Sequence, residues 1–331
     1  VRVLAADVGG TNARLALVDV TPGQARLVAR VQVAVAEQEG LERPVCDFLD
    51  AHLRDQPRPP SCIAIAGTVI ARAAKVAGVN MPWTVDAERL ERACGLPRVD
   101  LINDFHAAAR GVELLQPSDL TPLGGGAPLQ GQPIAVIGAG TGLGQAFVLP
   151  LDDGRRRIVS SEGGHRDFAP RTPLQDRLLA WLRGQHGRVS TERVLSGPGL
   201  VATYRFLVEV ESLPACASVD ALEGAEVGPR ITKEALAGTH PTCLAALETF
   251  VDVYGAEAGN VALTVLATGG VYLAGGIAPS VLTRPDMTAR FRAAFDDKGR
   301  FKDFLDDIPV WVIRNPDLGL LGAAAVAASS S

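Results

Sequence analysis

Asp7-Val8-Gly9-Gly10-Thr11-Asn12-Ala13-Arg14 is the stretch whose reading decides the fold. Val1-Arg2-Val3-Leu4-Ala5-Ala6 precedes it and Leu15-Ala16-Leu17-Val18 follows. Both flanks are short, apolar and bounded by turn residues, which predicts strands. Gly9-Gly10 makes the pair a β-hairpin, because glycine reaches positive φ without steric cost. A turn with no side chains at two positions exposes backbone N–H groups, and such groups hold phosphate. Asp7 beside them is placed to hold a magnesium ion, directly or through water, since magnesium usually keeps several waters. Read alone, the stretch fits equally a plain hairpin whose Asp7 satisfies local amides.

A second copy separates the two readings. Ile134 to Val148 is again apolar strand, Gly-Thr turn, apolar strand, with Gly138-Ala139-Gly140-Thr141-Gly142-Leu143-Gly144 at its centre. A shift of 130 residues lays Gly10-Thr11 on Gly140-Thr141 and Ala16-Leu17-Val18 on Ala146-Phe147-Val148. The match points to a duplicated unit with two phosphate-binding turns. A dinucleotide fingerprint is excluded, because the glycines lack the G-x-G-x-x-G spacing and a strand follows where a helix is needed. No lysine-bearing P-loop motif occurs either.

With 331 residues the chain has room for two domains with sizeable cores. Its 47% hydrophobic and 21% charged residues are ordinary for a globular protein. A net charge of −5 and the lack of a basic cluster argue against a nucleic-acid partner. The longest apolar run, Leu318 to Ala328, is too short to span a bilayer, and a chain that enters its first strand at once is expected to carry no signal peptide. Cys46, Cys62, Cys94, Cys216 and Cys243 are scattered, with no C-x-x-C spacing, so neither zinc nor a disulfide framework is indicated. The expectation is a reduced, cytoplasmic chain.

Ala25 to Val35 predicts a third strand, Leu41 to Leu53 a helix and Ser61 to Ala66 a buried strand. Asp86 caps a helix to Cys94, and a strand from Arg98 to Ile102 ends in Asn103-Asp104 before further helix. Pro117 to Pro133 reads as a loop between halves. The second half continues with a strand near Arg156 to Ser160, then a helix from Thr172 to His186. Ser190 and Ser196 sit where helices can be capped. His240 to Ala267 reads as one or two packed helices, interrupted by Glu248, Asp252 and Glu257. Val271 to Ala274 and Pro309 to Ile313 predict strands, and Asp317 to Ala327 a small-residue helix returning to the first half.

Asn103-Asp104 ends a buried strand, where open α/β sheets bind ligands. Asp104 there can take a proton from a hydroxyl nucleophile, and Asn103 offers donor and acceptor to a polyol. The same pair also reads as a helix cap. Glu162-Gly163-Gly164-His165 sets an acceptor and an imidazole on a glycine turn, and with Glu192 it makes a polar cluster for neighbouring hydroxyls. Each residue alone also reads as surface turn or solvated acid. Gly275-Gly276 after a strand can let an adenine or ribose approach the backbone. His52, His106, His186 and His240 show no ligand spacing and receive no role.

Together, Asp7 to Arg14, Leu101-Ile102-Asn103-Asp104-Phe105, Gly138 to Gly144, Glu162 to His165, Glu192 to Gly199 and Leu273 to Ile277 resemble the bacterial glucokinase family. The resemblance runs over nearly the whole chain and is specific in the order of its motifs. It implies an α/β, two-domain ribonuclease-H-like fold (the actin-like ATPase and hexokinase fold) with an interdomain cleft. The expected domains are 1–106 plus 314–331, small, and 107–313, large. The zinc motif C-x-C-G-x-x-G-C of the repressor and sugar kinase relatives is missing, so the chain looks like the zinc-free glucokinases.

By the same resemblance, Asp104 matches the catalytic base and Asn103 a sugar ligand, while Glu162, His165 and Glu192 match the residues that grip glucose. Ala6, Asp7, Val8, Gly9, Gly10 and Thr11 match the first phosphate loop, and Gly140 and Thr141 the second. Gly275 and Gly276 complete the expected nucleotide contacts, and Asp7 the magnesium site, through water. The expected reaction is ATP-dependent phosphorylation of glucose to glucose 6-phosphate. A sugar-sensing regulator on this fold, or a kinase for another hexose, is the alternative. Glucose and ATP are the expected partners, with neither nucleic acid nor membrane, in a homodimer. One departure is Gly67-Thr68-Val69, where relatives often carry a turn-stiffening proline.

Overall fold

In the computed structural model, strand β1 (Arg2–Val8) is buried on both faces, which explains its unbroken apolar reading. Leu4, Ala6 and Val8 join one core with Val45, Phe48, Leu49 and Leu90. Val3 and Ala5 face the opposite core with Ala107, Leu320 and Ala324. The structure describes residues 1–54, 56–70, 72–75 and 83–329. β1 pairs antiparallel with β2 (Asn12–Thr21), setting Asp7 opposite Arg14, and β2 pairs with β3 (Gln24–Ala34). Helix α1 (Glu42–Leu53) leads to β4 (Ser61–Ile65), which runs parallel to β1. A small sheet of β5 (Thr68–Ile70), β6 (Ala73–Lys75) and β7 (Val85–Asp86) precedes α2 (Ala87–Cys94), β8 (Val99–Asn103) and α3 (Asp104–Gly111). The main sheet has the order β3-β2-β1-β4-β8.

Asp86 caps α2 as the sequence predicts, its carboxylate accepting the Arg89 N–H at 2.9 Å. α1 and α2 supply the first core, and α3 with the C-terminal helix (Leu318–Ser329) the second. That last helix does pack in the first unit, and its small residues explain how. A Cβ at Gly322 would collide with the carbonyl oxygen of Ala107, and one at Gly111 with that of Leu318 at 2.5 Å. The two helix backbones therefore touch. This contact carries the first unit past the sequence-based boundary, which ended it at His106. The unit comprises Val1–Asp119, Ile158–Ser160 and Asn315–Ser331.

The second unit, Leu120–Arg157 with Ser161–Arg314, repeats the plan. β9 (Leu120–Pro122) precedes a hairpin of β10 (Ile134–Ala139) and β11 (Leu143–Pro150), followed by β12 (Arg156–Ser161). Helices α4 (Pro173–His186), α5 (Gly197–Glu209), α6 (Ala217–Asp220), α7 (Val227–Leu236) and α8 (Pro241–Val265) come next. β13 (Gly270–Ala274), α9 (Ile277–Val281), α10 (Pro285–Asp296), α11 (Lys302–Asp306) and β14 (Val310–Ile313) close the unit. Its sheet runs β12-β11-β10-β13-β14-β9, with β10, β13 and β14 parallel. Apart from β9, this is the same succession as in the first unit: outer strand, hairpin, two parallel strands. β9 lies inside the expected loop, because three residues carry too little pattern to register as a strand.

Two expectations about cysteine change. Cys46 on α1 and Cys94 on α2 form a disulfide, with Cα atoms 5.0 Å apart, where the sequence indicated none and a reduced chain. The helices pack side by side, and a separation of 48 residues does not reveal that. Among the described residues, no helix is long and apolar enough to cross a membrane.

Candidate active site

The Gly-Thr turn of the second unit is built into the polar cluster. The N–H of Leu143, first residue after the turn, donates to Oε2 of Glu192 at 2.8 Å. The other oxygen of Glu192, Oε1, lies 4.0 Å from Nδ1 of His165. On the far side of the ring, Nε2 is 3.9 Å from Oε2 of Glu162. The imidazole thus stands between two carboxylates; it and Glu162 are exposed, and Glu192 is half-buried. Glu162, His165 and Glu192, from two separate segments, are brought together as the sequence predicts. Gly164 is required there, because a Cβ would strike the carbonyl oxygen of Leu143 on β11. Residues three apart on such a turn present neighbouring acceptors and donors, a pattern that fits adjacent hydroxyls of one ring.

Two cavities meet at this turn. One, of about 430 Å³, is lined by Thr141, His165, Glu192, Arg188 and Pro198. The other, of about 990 Å³, is lined by Gly140, Thr141, Pro198, Gly228, Gly276 and Ser280 among others. Thr141 and Pro198 belong to both, so a phosphate at the turn would lie between a sugar-sized and a nucleoside-sized space. The N–H of Gly140 is spent inside the turn, donating to Gly142 at 2.8 Å. Those of Thr141 and Gly142 have no acceptor among the described residues, on a turn that is partly open to solvent. Gly276 lines the larger cavity as expected; Gly275 does not.

The first unit holds the other expected residues. The N–H of Gly9 donates to the Asn12 carbonyl at 3.0 Å and closes the hairpin. The N–H groups of Gly10 and Thr11 have no acceptor among the described residues. Ala6 and Val8 are fully buried in β1 and paired with β2 on one side and β4 on the other, so they hold the turn in place. Asp7 is 16% exposed, and its Oδ2 accepts from the Arg14 guanidinium. Arg14 also donates to the carbonyl of Pro316 at 2.6 Å and lies 4.0 Å from Asp317.

Asn103 does cap α3. Its Oδ1 accepts the N–H groups of Phe105 (2.9 Å) and His106 (3.2 Å), and its Nδ2 donates to the Gly67 carbonyl at 3.1 Å. The amide nitrogen has a second hydrogen beyond that bond. Asp104 is the first residue of α3, with Oδ1 accepting the Phe105 N–H at 2.9 Å. It stands half-buried at the carboxyl end of the sheet, next to the capping Asn103. Burial, with Arg110 second, holds the His106 imidazole below its ordinary range.

Sequence reasoning missed the residues that fix these groups. Arg166 donates to Gly163 O at 3.1 Å and to the carboxylate of Glu257 on α8. Gln145 donates to the same carboxylate at 2.8 Å. Gln145 and Glu257 are 1% and 6% exposed, so this pair is interior, with Arg166 reaching it from the surface. Its signal was Glu257 inside an apolar helix, since a buried acid must find a partner. Arg14 had a signal too, in the hairpin register that sets it opposite Asp7.

Two repeated hairpin sheets, paired Gly-Thr turns and a carboxylate–imidazole–carboxylate cluster define a sugar kinase of the actin-like ATPase fold. The glucokinase family model matches residues 4–330. A glucokinase of Yersinia pestis (strain Pestoides F) is 43% identical over 324 residues, covering 97% of this chain and 95% of the relative. Among solved structures, a glucokinase from an Antarctic psychrotroph aligns with a TM-score of 0.84 at 30% identity, covering 99% of both chains. The Balamuthia mandrillaris glucokinase, solved in complex with glucose, has the same fold, with a TM-score of 0.82 at 24% identity over 99% of this chain and 93% of that one. The chain belongs to the glucokinase family, and it is an ATP-dependent hexose kinase acting on glucose.

Proposed function

We propose that Asp104 is the general base of this reaction, and that Glu162, His165 and Glu192 hold the sugar. The 6-hydroxyl oxygen of glucose attacks the γ-phosphorus of ATP in line. Its bond to phosphorus forms as the bond from phosphorus to the β,γ-bridging oxygen breaks, and ADP leaves with that electron pair. The hydroxyl proton passes to the Asp104 carboxylate. Phosphoryl transfer is mainly positioning and charge stabilisation. Gly10 and Thr11 in one unit, and Thr141 and Gly142 in the other, offer the backbone donors for phosphate oxygens.

Asp7 suits a magnesium ion held through water. Arg14 takes Oδ2 and leaves Oδ1, and one carboxylate with several waters is a normal magnesium environment. Bound there, the ion would neutralise phosphate charge. Asn103, with its single remaining amide hydrogen, is a secondary sugar contact. A homodimer is the proposed assembly, checked by sedimentation velocity.

The observation that carries this reading is the bond from Leu143 N–H to Glu192, which ties the sugar cluster to a phosphate turn. A panel of hexoses and phosphoryl donors, assayed with and without magnesium, tests it. Glucose with ATP and magnesium is expected to give the highest kcat/KM. A preference for another hexose would assign the cluster to different hydroxyls.

A further inference from the structure

Cys216, His240 and Cys243 lie away from both cavities of the active site, yet their two sulfurs and a ring nitrogen lie within 4.8 Å of one another. Cys216 immediately precedes α6; His240 is the N-cap of α8, and Cys243 is its third residue. Pro241 at the first helical position fixes how α8 starts, so His240 and Cys243, three apart, meet on one side of its first turn. Thr242 Oγ1 donates to the Pro214 carbonyl at 2.6 Å and draws the preceding loop onto that turn. The N–H of Cys216 donates to the Tyr204 hydroxyl at 2.7 Å, and that hydroxyl donates to Asp220 at 3.1 Å. The three side chains are thus held together by bonds that leave His240 unengaged.

Two bland readings fail on the same atom. Buried cysteines pack as small hydrophobes, and Cys216 is 5% exposed while Cys243 is fully buried. Nδ1 of His240, however, is buried with no hydrogen-bond partner among the described residues. Burying an imidazole nitrogen unsatisfied is costly. A disulfide between the two cysteines would use both sulfurs and still strand that nitrogen.

We propose that Cys216, His240 and Cys243 bind a zinc-class divalent cation, with water as the fourth ligand. Two sulfurs and an imidazole are the soft-to-borderline donor set that favours zinc over magnesium or calcium. Bonds of about 2.3 Å to sulfur and about 2.0 Å to nitrogen put tetrahedral ligand atoms roughly 3.6–3.8 Å apart, so the side chains close by only about 1 Å. Each thiol releases its proton to solvent as its sulfur–metal bond forms, and binding therefore weakens in acid. The ion would tie the loop before α6 to the start of α8. Ser218 in α6 donates to Glu234 of α7 at 2.8 Å, and α7 supplies Val227, Gly228 and Pro229 to the larger cavity. The cation is structural, bracing a wall of that cavity. It stands apart from the transfer chemistry.

The test uses the full chain handled without air, with the Cys46–Cys94 bond intact and Cys216 and Cys243 as thiols, loaded with cobalt(II) or zinc. Cobalt is expected to give thiolate-to-metal charge-transfer absorption at one equivalent. Zinc is expected to raise the melting midpoint and to slow alkylation of Cys216 and Cys243. Cys243→Ser and His240→Ala should lose the cobalt band and the zinc shift while still phosphorylating glucose. A wild-type chain with no cobalt–thiolate band, or one whose two thiols alkylate equally fast with and without zinc, overturns the proposal. So does a band that survives in Cys243→Ser, or recovery of Cys216 and Cys243 joined to each other as a disulfide in the presence of zinc. The alkylation measurement needs no variant, so a substitution that fails to fold does not blunt the test.

Discussion

Glu192 has two duties, because its carboxylate holds the Leu143 N–H with one oxygen and faces His165 with the other. Glu162 has one: among the described residues its side chain meets only His165, at 3.9 Å, and it is otherwise exposed. Glu162→Gln should therefore leave the turn intact and weaken the sugar contact alone. The apparent KM for glucose is expected to rise by roughly tenfold, about the worth of a hydrogen bond to a charged group. Steady-state kinetics check this, and an unchanged KM with an unchanged hexose ranking would place the sugar elsewhere. The three sugar-binding candidates were legible because glycines and charges cluster at strand ends in recognisable order. Arg166 and Gln145 were not, since their partner Glu257 is 91 residues from one and 112 from the other. Only folding reveals such a pair.

At the scale of elements, the hairpins were the most legible part. Their short apolar runs and glycine turns are local, and β1 with β2 and β10 with β11 form where the pattern sets them. Helices α5, α7 and α10 carried weaker local signals, and their placement depends on tertiary packing. The C-terminal helix is intermediate: its small residues announced a close contact, but not the partner. That partner is α3, with Gly322 against the backbone of Ala107. Gly322→Ala should cost about 1–3 kcal/mol, the usual price of overpacking a tight site. Urea unfolding measures it, and a variant as stable as the parent would mean that the two helices can part without loss.

The whole molecule depends on links that sequence separation hides. Cys46 and Cys94 close a loop of 48 residues across the first unit. Cutting such a cross-link typically costs about 2–4 kcal/mol. Thermal denaturation with and without a reductant should show a lower midpoint for the reduced chain, and equal midpoints would mean that the bond adds nothing. The residues we propose for the reaction are divided by position in the chain: Asp104 and Asp7 lie in the first unit, and Glu162, His165, Glu192 and the larger cavity in the second. Asp104 and its neighbour Asn103 could each be read as cap or as site, and the bonds of Asn103 give it the cap. Asp104, whose Oδ1 also accepts the Phe105 N–H, is the base we propose. The measurement that tests this most directly is turnover by Asp104→Asn, with glucose binding followed separately. Asparagine keeps the shape and can still accept the Phe105 N–H, but it cannot take a proton. The variant is expected to bind glucose while kcat falls by at least roughly a hundredfold. A folded Asp104→Asn variant with the parent's kcat would contradict the account.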